Sequence, residues 1–475
     1  MNTTKWSAAM TLVLALAAPA TAADAGPSQS VVVLAGSESA AAQAVSSAGG
    51  TVERSLPSIG AVVATVPSSR LGRINAANAT VVADLPVALT AGDFGPSTNA
   101  AVAAMNPDPA WGDDAGRGVG VALVDTGVAP HPALAGRIAH SVDLTDEADG
   151  VDRYGHGTFM AGLIASAAPG ADIVSVKVGG ADGSTTLADV LAGIDWVVEH
   201  ADEHNVRVLS LSFGVDMPMA WQADPLSAAV EAAWASGITV VTSSGNDGQG
   251  TVTAPGRDPW VLTVGATDSQ GTVSSADDTV PAFSGSGRVP PHAAKPEVVA
   301  PGVDVVSLRA PGSFLDTAYP AARIGDDGFR GSGTSMSAAL TAGAAAVLTW
   351  GHPDATPDDV KGALVASAAS IADGNGTARA VDLDAAMDSA ADEAWQQFRP
   401  VHGGNGDEVV GMPWTATRWS ATRWSATRWS ATRWSATRWS GTRWSGTRWS
   451  GTRWSGTRWS GTRWSGTRWS AAAWG

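Results

Sequence analysis

The stretch GVGVALVDTG, residues 118–127, is apolar up to Val124 and then ends in Asp125 and a tight turn. A strand without polar alternation is typical of a sheet that is covered on both faces. Further strands of this kind, alternating with segments that favour helix, are predicted at 171–178, 206–214, 238–247 and 260–267, with the helices at 156–168, 186–201 and 224–237. The alternation predicts an α/β fold in which helices cover both faces of a parallel sheet.

Polar residues stand where these strands end. In such folds, sites lie outside the carboxyl ends of the strands, which here directs attention to Asp125, Ser212 to Gly214, and Asn246. The triplet D-T-G at 125–127 could by itself indicate an aspartic protease, but those enzymes need two such aspartates in a β-rich fold. This chain has one, in a strand–helix–strand context, where a plain turn aspartate remains the simpler alternative.

Two glycine-rich motifs supply a candidate base and a candidate nucleophile. His156 lies between two glycines at a predicted helix start, and the missing side chains let another chain approach closely. In GSGTSMSAALTAG, residues 331–343, Ser335 falls in the first helical turn, where unpaired N–H groups and the helix dipole favour a developing negative charge. Ser332 lies back in the loop, and Ser337, about 200° further around the helix, faces away. Ser335 is therefore the candidate nucleophile.

Four motifs follow one another in the order Asp, His, Asn and Ser: VALVDTGV (121–128), HGT (156–158), SSGN (243–246) and GTSMSA (333–338). Together they resemble the subtilisin-like serine proteases, the subtilases, in which the Asp, His and Ser of the triad occur in this chain order. The resemblance extends over about 110–390 and includes LSLSFG (209–214) and KPEVVAPGVDVVS (295–307). It departs from the family pattern at Ala339, where proline is usual, and at Phe159, where a second histidine is common.

The resemblance implies a role for each candidate residue. Ser335 attacks the scissile carbonyl, His156 transfers its proton to the leaving amine, and Asp125 orients the imidazole. The side-chain amide of Asn246, together with the backbone N–H of Ser335, holds the oxyanion. This chemistry requires no cofactor and no metal ligand, and it leaves structural calcium open.

The same resemblance places the substrate. The backbone around Gly183, Ser212 and Gly214 is expected to pair with an extended polypeptide, as an added strand does. Residues 30–89, in which strands and helices alternate over short lengths, resemble the small ferredoxin-like α/β propeptide that precedes these enzymes and inhibits them.

Changes in composition along the chain predict its division into an export signal, domains and linkers. A positive start at Lys5, a short apolar core at 8–18 and small residues at 20–22 predict an export signal and a secreted, extracellular or cell-surface protein of bacterial type. The chain has no cysteine, so no disulfide framework contributes to its stability. The predicted units are a signal peptide (1–22), an inhibitory propeptide (23–89), a linker (90–104), a subtilase catalytic domain (105–395), a second linker (396–413) and a repeat tail (414–475).

The tail differs from the body in charge. Residues 413–475 contain TRWS eleven times, with eleven arginines and no acidic residue, so the other residues must carry −27 to give the net charge of −16. Repeated Trp–Arg pairs suit a multivalent anchor to an anionic cell-envelope polymer or a membrane surface. The alternative is a solvated low-complexity extension.

Two functional alternatives remain open at this stage. The leading prediction is an exported endopeptidase made as a zymogen, with polypeptides as substrates, its own propeptide as an intramolecular inhibitor and no nucleic-acid partner. The alternative is a weak or inactive subtilase that acts as a surface-binding protein through its tail. The presence of all four expected groups favours the first.

Overall fold

The computed structural model describes residues 27–75, 79–89, 101–217, 219–289, 293–373 and 376–389, together with eleven three-residue strands between 419 and 471. The signal peptide, most of the 90–104 linker and the 396–413 linker predicted above lie outside these residues, so the structure does not test them.

A small sheet comes first in the chain. Its strands and helices follow in the order βαββαβ: β1 (Ser28–Leu34), α1 (Glu38–Ser47), β2 (Thr51–Leu56), β3 (Ala61–Pro67), α2 (Leu71–Asn75) and β4 (Thr80–Ala83). The strand order β2-β3-β1-β4 is that of a ferredoxin-like fold. The apolar side chains of α1 and of one sheet face, among them Val45 and Val33, form a separate core, which confirms the predicted small α/β unit.

A short strand, β5 (Pro86–Leu89), leaves this unit and enters the larger one. The elements of the larger unit that form its main sheet are β6 (Gly120–Asp125), β7 (Ile138–Asp143), β8 (Asp172–Lys177), β10 (Val206–Leu211), β12 (Thr239–Ser243), β13 (Leu262–Thr267), β16 (Val298–Pro301), β20 (Ala369–Asp373) and β21 (Gly376–Ala380). They are ordered β20-β21-β16-β13-β12-β10-β6-β8-β7, and every pairing except that of β20 with β21 is parallel.

Short strands outside this sheet, β9 (Thr185–Thr186), β11 (Phe213–Gly214), β14 (Gly287–Val289), β15 (Ala293–Lys295), β17 (Val305–Leu308), β18 (Arg323–Ile324) and β19 (Gly328–Gly331), shape the loops. The helices are α3 (His156–Ala167), α4 (Leu187–His200), α5 (Pro225–Ala235), α6 (Phe314–Ala318), α7 (Thr334–Gly351), α8 (Pro357–Ala366) and α9 (Leu383–Met387).

The central strand β6 is apolar throughout because both of its faces pack against helices. Val121 and Leu123 pack into the layer that contains α3 and α7, whereas Ala122 and Val124 pack into the layer that contains α4 and α5. Successive side chains of a strand point to opposite faces, so a strand between two helical layers has no solvent-facing side. The predicted parallel sheet with helices on both faces is confirmed.

Two helices of one layer start at the residues that matter for the site. α3 begins at His156 and α7 begins at Thr334, directly before Ser335, and the two helices pack against each other. Each of these helices is preceded by a glycine with a positive φ, 108° at Gly155 and 153° at Gly333. Neither helix start is capped by a hydrogen bond from the side chain of its N-cap residue. The packing of α3 on α7 therefore brings the two motifs to one edge of the sheet.

The tail forms parallel strands. Its described strands, each Trp-Ser-Ala or Trp-Ser-Gly, run from β22 (Trp419–Ala421) through β23 (Trp424–Ala426), β24 (Trp429–Ala431), β25 (Trp434–Ala436), β26 (Trp439–Gly441), β27 (Trp444–Gly446), β28 (Trp449–Gly451), β29 (Trp454–Gly456), β30 (Trp459–Gly461) and β31 (Trp464–Gly466) to β32 (Trp469–Ala471). Each of the strands β22 to β28 pairs in register with the strand 20 residues later, as Trp419 does with Trp439. Four pentapeptides therefore make one coil, in which equivalent repeat positions stack.

No helix among the described residues has the length and apolar character needed to cross a bilayer.

Candidate active site

Asp125 and His156 form the central contact of the site. Asp125 ends β6, and its carboxylate lies 2.8 Å (Oδ1) and 3.0 Å (Oδ2) from Nδ1 of His156 at the start of α3. Both side chains are 1% exposed. A protonated Nδ1 donates to the carboxylate, so the neutral ring keeps its lone pair on Nε2.

A second buried carboxylate, Asp152, supports this pair and was missed by the sequence analysis. Its two oxygens accept five hydrogen bonds, from the backbone N–H groups of Tyr154, Gly155 and Thr158 and from the hydroxyls of Thr126 and Thr158, at 2.6–3.1 Å. Asp152 thereby satisfies N–H groups of the first turn of α3 that lack a partner within the helix. The available signal was an aspartate four residues before His156, since Asp is a favoured helix-start residue.

Thr126 connects the two carboxylates. Its backbone N–H donates to Asp125 Oδ1 at 2.8 Å, its hydroxyl donates to Asp152 Oδ1 at 2.8 Å, and its hydroxyl oxygen accepts the N–H of Gly157 at 2.9 Å. The turn after β6 and the start of α3 are thus fixed to each other on both sides of the imidazole.

The electrostatics of this arrangement favour a charged imidazole. Burial disfavours the imidazolium of His156, but the carboxylate of Asp125, its hydrogen bond and the more distant carboxylate of Asp152 outweigh burial, so the pKa of His156 is raised. Burial also raises the pKa of Asp152, against its hydrogen bonds. Because all five partners of Asp152 donate, the geometry suits its ionised form.

The three serines of the 331–343 motif have three different environments. Ser332 Oγ accepts the N–H of Asp304 at 2.9 Å, and Ser337 Oγ donates to the carbonyl oxygens of Ala300 (2.9 Å) and Pro301 (3.2 Å). Ser335, which is fully buried, donates to the carbonyl oxygen of Ser212 at 3.1 Å. Ser335 is therefore the member of the motif that contacts the end of β10, at the edge where the site residues meet.

Asn246 is oriented from the same helix start. Its Oδ1 accepts the backbone N–H of Thr334 at 3.0 Å and the hydroxyl of Thr334 at 2.9 Å. The amide is therefore held with its oxygen toward α7, which leaves Nδ2 to face elsewhere. Thr334 was not singled out from the sequence, because its role depends on a contact with a residue 88 positions away.

Two buried polar atoms at this site have no hydrogen-bond partner within the described residues: Nε2 of His156 and Nδ2 of Asn246. A buried polar group without a partner costs free energy, so such atoms call for an explanation. One is a lone pair that can accept a proton, and the other is a donor that can bind an oxyanion. Asn246 contacts Thr334, the residue directly before Ser335, and His156 begins the helix that packs against the helix of Ser335.

The predicted substrate strands lie on either side of an occupied cleft. β11, which contains Gly214, pairs antiparallel with β5 (Ala88 with Gly214, Leu89 with Phe213), and β9, two residues after Gly183, pairs antiparallel with the other edge of β5 (Val87 with Thr185). Ser212 precedes β11 and contacts Ser335. The cleft expected to bind an extended chain thus holds residues 86–89 of this chain.

The described residues contain no cluster of three or more His, Asp or Glu side chains arranged to hold a metal ion. The polar groups at the site are a hydroxyl, an imidazole, carboxylates and an amide. These groups can carry out nucleophilic attack, proton transfer and oxyanion binding.

Comparisons with known proteins agree with this chemistry. Serine protease AprX from Bacillus subtilis is 41% identical over 265 residues, which are 52% of this chain and 60% of AprX. Subtilisin Savinase from Lederbergia lenta is 34% identical over 269 residues, 55% of this chain and 87% of that protein. The chain thus spans about 60% of the length of AprX and most of the length of Savinase.

A solved structure with a similar fold is fervidolysin from Fervidobacterium pennivorans, described as a keratinolytic enzyme related to subtilisin. It superposes with a TM-score of 0.60 over 77% of this chain and 62% of its own, at 23% identity, a likeness of fold. The model of the subtilase family matches residues 116–396, more than half of the sequence. With its parallel sheet and with Asp125, His156, Asn246 and Ser335 in the family's order, the chain belongs to the subtilase family of subtilisin-like serine peptidases.

Proposed function

We propose that this protein is a secreted serine endopeptidase that hydrolyses polypeptides through Asp125, His156 and Ser335 and is made as a zymogen. The observation that carries the proposal is the pair of buried atoms without partners, His156 Nε2 and Asn246 Nδ2, at the starts of two packed helices, of which α7 carries the buried Ser335 in its first turn. A proton acceptor and an oxyanion donor are the two groups that serine acyl transfer needs beside its nucleophile.

The reaction proceeds in two acyl transfers. The hydroxyl of Ser335 turns toward His156, and its proton passes to Nε2 as Oγ bonds to the substrate carbonyl carbon. The carbonyl electron pair becomes an oxyanion, which Asn246 Nδ2 and the backbone N–H of Ser335 stabilise. The carbon–nitrogen bond then breaks, and His156 gives its proton to the leaving amine. Water repeats the sequence on the acyl-enzyme and releases Ser335.

The strand β5 supports the zymogen part of the proposal. It fills the substrate cleft from within the chain, and it follows directly on the small N-terminal unit. An extended substrate in this register presents to Ser335 the carbonyl of the residue that follows the position of Leu89. The small unit would then inhibit as a tethered substrate until the chain cuts itself.

The nucleophile can be tested against its neighbour in the same motif. Ser335→Ala should lower kcat by several orders of magnitude, because only transition-state binding remains. It should also leave residues 23–89 attached, as measured by intact mass. Ser337→Ala, whose hydroxyl contacts only backbone carbonyls in the hydrogen bonds described above, is the control and should retain processing and turnover. Activity in Ser335→Ala, or its loss in Ser337→Ala alone, would contradict the assignment, whereas a wild-type protein that cuts no peptide would favour the inactive surface-binding alternative.

Asn246 provides a test of the oxyanion site. Asn246→Ala should reduce kcat by about 10²–10³-fold with little change in KM, the range known for removal of one oxyanion donor from a subtilisin. Asn246→Asp keeps an oxygen for Thr334 but replaces the Nδ2 donor by a second oxygen, so its kcat should fall at least as far. Steady-state kinetics on a peptide substrate measure both. Near-normal turnover in Asn246→Asp would assign Asn246 a purely structural role.

Asp152 should contribute to the pH dependence of the reaction. His156 must be neutral to accept the proton, so kcat/KM rises as pH passes through the raised pKa of His156. Asp152→Asn removes a negative charge that favours the imidazolium, so the pKa of His156 should fall and the acid limb of the kcat/KM profile should move to lower pH. Asp146→Asn, an exposed carboxylate in the same loop, is the charge-matched control and should leave the limb in place. An unmoved acid limb in Asp152→Asn would refute this role.

We also propose that the repeat tail retains the enzyme at the cell surface by binding an anionic envelope polymer or membrane. Two observations support this proposal. Strands 20 residues apart pair in register, so the same position of the repeat recurs from one coil to the next. Each pentapeptide also contributes one Arg, and the segment has no acidic residue. Multivalent weak binding of this kind gives high avidity.

Deletion of residues 414–475 should move the enzyme from the cell fraction to the medium while peptide hydrolysis persists. Full-length protein should leave the cells as salt rises, because salt screens exposed charges. A full-length variant with the eleven repeat arginines changed to glutamine separates charge from tryptophan, and should behave like the deletion. Equal partitioning of the full-length and truncated forms would exclude the anchor.

A further inference from the structure

The segment between β17 and α7, residues 309–330, leaves the body of the enzyme beside the site and has no part in the chemistry above. The sequence offers no explanation of it beyond a surface excursion. In the structure it contains α6, the ribbon of β18 with β19, and three of the large apolar side chains that are exposed in the described chain: Phe314, Tyr319 and Ile324.

Ion pairs and buried side chains fix this excursion in place. The carboxylate of Asp316, 3% exposed, contacts Arg309 at 2.6 Å and Arg323 at 2.7 Å, and it accepts the N–H of Gly312 at 2.9 Å. Leu315 is buried in the core layer of α3 and α7. The short helix α6 therefore presents Phe314 from an anchored frame.

Phe314 is directed toward the segment before the proposed base. Its backbone N–H donates to the carbonyl of Arg153 at 2.8 Å, and the N–H of Leu315 donates to that of Tyr154 at 3.0 Å. The rings of Phe314 and Tyr154 stack with centroids 5.6 Å apart and planes 9° from parallel. Phe314 is nonetheless 49% exposed. We call this pair of rings, Tyr154 and Phe314, the aromatic shelf.

Tyr154, one ring of the shelf, borders the substrate cleft at one register position. A side chain at Gly183 would run into the ring of Tyr154, whose Cε2 lies 2.6 Å from where its Cβ would stand, so the ring fills the space beside that glycine. Val87 pairs with Thr185 and the strands are antiparallel, so Gly183 borders the position of Leu89. Tyr154 therefore lies beside the position of Leu89 in the cleft.

The same register relates this position to the bond that is cut. Leu89 pairs with Phe213, so the next residue of an extended substrate falls opposite Ser212, whose carbonyl accepts the hydroxyl of Ser335. The carbonyl that is attacked belongs to that next residue, P1. The residue at the position of Leu89 is then P2, the one before it.

We propose that the aromatic shelf of Tyr154 and Phe314 selects polypeptides with a bulky apolar residue at P2. The inference rests on the proposed endopeptidase function and names its substrate class. An apolar P2 side chain would remove apolar ring surface from water, which is favourable. Contacts with an aromatic ring contribute further free energy beyond the buried area. The chain's own cleft-filling segment has an apolar residue, Leu89, at this position.

The electrostatics of Tyr154 are consistent with an apolar contact. Burial, followed by the nearby phenol of Tyr319 and the carboxylates of Asp125 and Asp152, raises the pKa of Tyr154. The raised pKa favours the neutral phenol, which suits an apolar contact.

The test compares two quenched-fluorescence peptides that differ only at P2, Phe against Ala, with the cut site of each verified by mass. Wild type should show a kcat/KM ratio of about 3- to 10-fold in favour of Phe. Phe314→Ala should bring this ratio close to 1, mainly by raising KM for the Phe peptide. Phe314→Tyr keeps the stack and should restore most of the ratio.

Ile324→Ala is the matched control, since it removes another exposed apolar side chain from the same excursion. It should preserve the wild-type ratio. A ratio near 1 in wild type, or an unchanged ratio in Phe314→Ala, overturns the shelf while hydrolysis itself upholds the proposed function. An equal loss on both peptides in Phe314→Ala shows a structural role and also overturns it. Failure of wild type to cut either peptide, with purified protein free of residues 23–89, overturns the proposed function and with it the shelf.

Discussion

The hydrogen bond between Asp125 and His156, buried away from water, is the contact on which the rest of the site depends. A carboxylate and an imidazole at 1% exposure are costly to bury unless each satisfies the other. The fold makes this possible by ending β6 and starting α3 at the same sheet edge. Asp152 and Thr126 then fix the two segments together, so the ring has one orientation and Nε2 is left as the acceptor.

Helix α7 places the other half of the site by the same means. Packing of α3 against α7 fixes the start of one helix relative to the other, and Thr334, at the first position of α7, orients Asn246 while Ser335 follows it. The groups proposed to move protons and bind the oxyanion are therefore positioned by the packing of two helices, as preorganised catalysis requires. The strands proposed to bind the peptide, β9 and β11, are short and pair with the two edges of β5.

Some of these relations were accessible from the sequence because they are local. The order of the four motifs, the apolar strands and the small N-terminal unit were predicted from the residues, and the sheet, its helical layers and the ferredoxin-like order of the small unit agree. Asp152 lay within four residues of His156 but was not recognised, because an aspartate before a helix is ordinarily a cap. Thr334 and the shelf depend on contacts with residues 88 and 160 positions distant along the chain, which no local pattern encodes.

The sequence by itself determined which chemical groups are present, the period of the strands and helices, and the five-residue repeat of the tail, since these follow from residue type and spacing. Only the tertiary structure decided which of three neighbouring serines contacts Ser212, which atoms remain without partners and which ring borders the cleft. The physical reason is that hydrogen bonds and stacking act over a few ångströms, so their partners are set by how distant segments pack rather than by their order in the chain.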